Sequence, residues 1–191
     1  MSSPAVLFEH ARPLTPEHRV MEPPTPPPTA PAAHAAALAA ASDQWLDRVR
    51  YRPLSRWTQL LEAADAAALV HPDLHRDLVG VQIWVLSWLQ GQGTPLHDHG
   101  TAAGAFAVVR GELTERVVSS GPAGVHSHQA RLGGGRLRHF GAHYVHQVTN
   151  EDDEPAVSVH VYTPALREMN TYGIEGGRLL RTGTEKAGVD W

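Results

Sequence analysis

Between residues 81 and 163 the chain carries short β-branched and aromatic stretches punctuated by glycine, and this pattern constrains the fold more than any other feature. Residues 81–89, 105–109, 113–118, 145–149 and 157–163 each have strand composition and length. Arg110, Gly111 and Glu112 form a turn signal, and the run Gly133, Gly134, Gly135 is a break. The last stretch alternates. Val157, Val159 and Val161 fall on one face, and Ser158, His160 and Tyr162 on the other. Short strands joined by glycine turns predict a mainly β sandwich or barrel. No helix-length apolar pattern interrupts residues 81–163, which argues against a doubly wound nucleotide-binding fold.

The segment ahead of the strands predicts helices. One starts at Ser42 or Asp43 and places Trp45, Leu46 and Val49 on a single face. A second, over 55–69, sets Trp57, Leu60, Leu61 and Ala64 at i, i+3, i+4 and i+7. Residues 71–80 are a connector. Residues 1–41 hold nine of the fifteen prolines and an alanine-rich run, so the expectation is a disordered tail over 1–41 and one folded domain over 42–191.

Composition narrows the function. With no cysteine there is no disulfide, no thiolate-held zinc or iron–sulfur cluster and no thiol nucleophile. A net charge of −4 disfavours a nucleic-acid binder led by phosphate contacts. No apolar stretch approaches the ~20 residues of a membrane span. No secretory leader is visible, so the expected location is the cytoplasm. Thirteen histidines remain as potential metal ligands, and the question is which of them converge.

His97 and His99 lie two apart, so on a strand both side chains leave the same face and can chelate one ion. Gly91 precedes His97 by six residues and Gly111 follows His99 by twelve. Further on, Gly135 precedes His146 by eleven residues, and Asn150 follows it by four. This spacing resembles the two motifs of the cupins, which implies a jelly-roll β-sandwich or barrel behind the N-terminal helices. The slot that usually holds a glutamate ligand holds Gly104, and the usual Pro-x-Gly slots hold Gly141 and His143.

A three-histidine set without the carboxylate, followed by Ser158, His160 and Tyr162 at alternate positions, resembles the cysteine dioxygenase family of thiol dioxygenases, in its bacterial form. The resemblance spans roughly residues 45–168. It implies iron(II), held by His97, His99 and His146, and a small thiol, cysteine or 3-mercaptopropionate, converted to the sulfinic acid with O2. It further implies a catalytic role for Tyr162, with His160 and Ser158 behind it as a relay, and a monomer with no nucleic-acid or membrane partner. Gly104 stands where some members carry the cysteine that is linked to the tyrosine, so Tyr162 is free of that crosslink. Trp57 and Gln59 align with the family's substrate-binding Tyr-x-Arg, which places a neutral amide where a carboxylate clamp would be. Arg50, Arg52, Arg56 and Arg167 are alternative cations.

Other histidine pairs carry less. His126 with His128 is expected in an exposed loop, His71 with His75 on the surface, and His143 at a pocket mouth or in packing. Trp84, Trp88 and Phe106 are expected in the core or the pocket wall. Two competing readings are a cupin that binds metal or ligand without turnover, and a cupin of other metal chemistry.

Overall fold

A computed structural model describes residues 30–122 and 124–187. Among these residues eleven strands run β1 Trp57–Leu61, β2 Gln82–Trp88, β3 His97–Asp98, β4 Ala103–Arg110, β5 Glu112–Gly121, β6 Gly124–Gly133, β7 Leu137–Phe140, β8 Val145–Thr149, β9 Ala156–Thr163, β10 Glu168–Glu175 and β11 Arg178–Lys186. They form two antiparallel sheets, ordered β1-β2-β9-β4-β7 and β11-β10-β3-β8-β5-β6. This is the jelly-roll arrangement expected from the sequence, with helical segments ahead of it. No described helix is long and apolar enough to cross a membrane.

The five-stranded sheet is buried on both faces. Its inner face brings Trp84, Leu86, Trp88, Phe106 and Val108 against Leu113 and Val148 of the other sheet. Its outer face carries Ile83, Val85, Ala105, Ala107, Val157, Val159 and Val161. Helix α1, Ala30–Ala40, covers that outer face with Ala32, Ala35 and Leu38. A sheet covered on both sides needs apolar residues on both sides, and this reverses the usual reading of β9. Its valines face the helices, and its polar residues face the interior of the sandwich.

Three expectations require correction. Residues 30–40 are a packed helix, whereas the sequence suggested that the tail ran to 41; the rest of that segment, 1–29, lies outside the described residues. Alanine is the best helix former but gives almost no amphipathic contrast, so the sequence pattern hid this helix. Pro31 sits in its first turn, where no hydrogen bond is lost. The helix expected from Ser42 is two 3-10 turns, Ser42–Gln44 and Leu46–Arg48, although Trp45 and Val49 are buried. The helix expected over 55–69 is strand β1 followed by α2, Ala63–Leu69. The short run Trp57 to Leu61 fits either period, and pairing with the edge of β2 decides it.

Candidate metal centre

β3 is only two residues long, yet it positions two of the three converging histidines. It lies between β8 and β10, and His97 stands directly opposite His146 of β8. His99 follows immediately on the same side. One ring nitrogen from each of the three lies within 4.8 Å of the others, and all three residues are buried.

The hydrogen bonds decide which nitrogens are free for a metal. His97 Nδ1 is 2.9 Å from the carbonyl of Pro95, which can only accept, so Nδ1 carries the proton and the Nε2 lone pair is exposed. His146 Nδ1 donates to Glu115 Oε1 at 2.8 Å, with the same result. His97 Nε2 and His99 Nε2 face each other at 3.2 Å, and His99 Nδ1 is buried without a partner among the described residues. Burial, reinforced by the mutual repulsion of the rings, lowers the pKa of His97 to about 3 and that of His99 well below the usual value. His97 and His99 are therefore neutral at physiological pH, and with His146 they present a donor set that fits a divalent transition metal.

Asp98 points away from this cluster and ties it down. Its carboxylate accepts from Gly100 N at 2.8 Å, Asn170 Nδ2 at 2.8 Å and Tyr172 OH at 2.7 Å. Burial alone would raise its pKa, but these donors outweigh it and hold Asp98 below the normal range. Where a carboxylate ligand was absent from the sequence, the structure shows the reason. A Cβ on Gly104 would lie 2.8 Å from the ring of Phe140 and 2.8 Å from Val161 O. Phe140 fills the space instead and stacks on His99 at 4.8 Å between centroids.

β9 supplies the opposite wall. Trp88 Nε1 donates to Ser158 Oγ at 2.9 Å, Ser158 Oγ lies 2.8 Å from His160 Nε2, and His160 Nδ1 lies 3.4 Å from Tyr162 OH. Burial lowers the pKa of His160 well below the usual value and raises that of Tyr162. His97, His146, His160 and Tyr162 line one small cavity together with Arg56. The Arg56 guanidinium lies over the Trp88 ring at 4.9 Å, and desolvation lowers its pKa from the ordinary arginine range. On the far side of His99 a second cavity opens, rimmed by Thr101, His143 and Arg167.

Trp57 and Gln59 do not join this site. Gln59 pairs with Val85 and Trp57 with Ser87, which puts both on the helix-covered face of the sheet. Gln59 Nε2 donates to Leu60 O, and both residues line a separate cavity with Trp45 and Arg48. The expectation that they bind substrate is therefore corrected: the sheet separates them from the histidines. Of the alternative cations, Arg56 is the one placed beside His97 and Tyr162. Among the other pairs, His126 and His128 are exposed but lie on β6, not in a loop, and His143 stands at the rim of the second cavity. Glu115 was missed altogether. Its side chain shares a strand face with the buried Leu113, but nothing in β5 itself points to His146.

The model of the family described as cysteine dioxygenase type I matches residues 69–174, more than half of the chain. Among solved structures, the chain is similar to TT1209 from Thermus thermophilus, at 21% identity, 63% coverage of this chain, 94% of that one and a TM-score of 0.46. A protein with a double-stranded β-helix domain from Klebsiella pneumoniae gives 16% identity, 65% and 85% coverage and a TM-score of 0.49. Oxalate decarboxylase from Bacillus subtilis gives 13% identity, 66% and 30% coverage and a TM-score of 0.48.

Proposed function

The chain belongs to the cysteine dioxygenase type I family, and on that premise we propose that it is an iron(II)-dependent thiol dioxygenase acting on a small thiol that carries a carboxylate. The reaction is R–SH + O2 → R–SO2H, with both oxygen atoms ending on sulfur. The observation that supports this reading is the single cavity shared by two of the converging histidines, Tyr162 and Arg56. When bound, iron(II) would hold thiolate and dioxygen side by side and so replace a collision by a reaction between neighbours.

The chain's own residues fix the protons. Trp88 Nε1 can only donate, so Ser158 Oγ accepts from it. The buried Ser158 proton then goes to His160 Nε2, its remaining neighbour in this chain of hydrogen bonds. Neutral His160 must carry its own proton on Nδ1, directed at the Tyr162 oxygen over a long 3.4 Å. Tyr162 is left with its O–H free to donate into the cavity. Burial raises its pKa, so it remains a donor through neutral and mildly alkaline pH.

Arg56 would receive the substrate carboxylate. Among the described residues the cavity lining includes no aspartate or glutamate to receive an ammonium group, and an unpaired buried ammonium is costly. This favours 3-mercaptopropionate over cysteine. Oxygen uptake by anaerobically iron-loaded protein tests the reading: sulfinate should form, with a higher kcat/KM for 3-mercaptopropionate. No oxygen consumption with any of a panel of small thiols would overturn it in favour of a binding module.

A further inference from the structure

Glu115 is a fully buried acid that the mechanism above does not use. Its Oε1 accepts the Nδ1 proton of His146 at 2.8 Å and the hydroxyl of Tyr144 at 3.3 Å, while Oε2 accepts Arg138 Nε at 2.7 Å. The three histidines differ in this respect. His97 leans on a neutral carbonyl, His99 Nδ1 has no partner among the described residues, and His146 alone leans on a carboxylate. Three donors converge on its two oxygens, one of them the Arg138 guanidinium, so both oxygens act as acceptors.

We propose that Glu115 is a positioning residue for the metal. It fixes His146 as an Nε2 ligand and supplies from behind that ring the negative charge that Gly104 cannot supply directly. An anion on the outer nitrogen makes the imidazole a stronger donor and fixes its orientation. The proposal rests on the reading of the three histidines as a metal centre. A different role is purely structural: Arg138 lies on β7 of one sheet and Glu115 on β5 of the other, so their ion pair also joins the two sheets.

Two variants of the full chain separate the roles. Glu115→Gln keeps shape and an acceptor oxygen but removes the charge. Arg138→Gln breaks the bridge between sheets and leaves the carboxylate in place. Each is stripped of metal and titrated with Fe(II) against a competing chelator, and its Fe(III)/Fe(II) potential is measured. Glu115→Gln should bind Fe(II) ~10–100-fold more weakly. Its potential should rise, by ~59 mV for each tenfold by which ferric binding falls further than ferrous. Arg138→Gln should lose clearly less Fe(II) affinity than Glu115→Gln, because the carboxylate keeps its contact with His146. A zinc-loaded parent should also show a slowly exchanging, downfield imidazole Nδ1 proton by NMR, a readout that needs no variant to fold.

Fe(II) affinity and potential unchanged in Glu115→Gln would overturn the proposal. So would equal loss of affinity in both variants, or absence of that proton. A parent chain that binds neither Fe(II) nor zinc would overturn the metal reading itself and this proposal with it.

Discussion

Replacing Arg56 by Met removes a cation from the cavity while keeping a side chain of similar length. The guanidinium lies over Trp88, half-buried and beside His97 and Tyr162. Two unit charges 4 Å apart attract by about 4 kcal/mol at an effective dielectric of 20. Taking both groups out of water cancels part of this, and hydrogen bonds to a charged partner are worth a net ~1.5–3 kcal/mol. At about 1.4 kcal/mol per factor of ten, KM for 3-mercaptopropionate should rise ~10–150-fold. The control is a neutral thiol, 2-mercaptoethanol, assayed for oxygen uptake with the same iron-loaded preparations. Its KM should hold within about threefold, well inside the loss expected for the acid. Parallel changes for both thiols would mean that Arg56 shapes the cavity and does not read the carboxylate, and the reasoning would fail.

Three further outcomes follow from the geometry. Tyr162→Phe removes the donor at the end of the Trp88–Ser158–His160 chain, so kcat should fall at least ~100-fold with iron content intact; an unchanged kcat would remove Tyr162 from the chemistry. Gly104→Ala drives a methyl into Phe140 and Val161 O and should cost ~1–3 kcal/mol, seen as a lower Tm; an unaltered Tm would contradict the close approach. In metal-free protein His97, His99 and His160 have depressed pKa values, while unfolded histidine titrates near ~6.5. The unfolded chain then binds more protons below that pH, so stability is complete above it and is lost as pH falls toward about 3, the value for His97. The urea midpoint should drop between pH 7.5 and pH 5, and a flat profile would refute the burial argument.

The jelly roll was legible because alternation and glycine turns are local signals. His97, His99 and His146 were legible because their spacing survives in one dimension. The failures have physical causes. Trp57 to Leu61 is too short for period alone to decide, and a neighbouring strand edge settled it. Trp57 and Gln59 were assigned by alignment with the family's Tyr-x-Arg, and the strand turns both to the side of the sheet away from the histidines, while Arg56, one of the alternative cations, stands at the cavity. Ala30–Ala40 escaped because alanine carries little hydrophobic contrast, although its small side chains suit close packing on the valines of β9. Glu115 is 31 residues from His146, and no pattern within one strand announces a partner that distant.

The two-residue strand β3 has a consequence for how the protein is made. Its pairing with β10 and two of the three donors on Asp98, Asn170 and Tyr172, come from late in the chain. On the ribosome His97 and His99 emerge early, yet the strand that braces them is translated some seventy residues later. The sandwich can begin to collapse before then, but the ligand cluster cannot take its final form. Completion of the histidine cluster is therefore tied to the synthesis of β10, and so is any metal binding that depends on it.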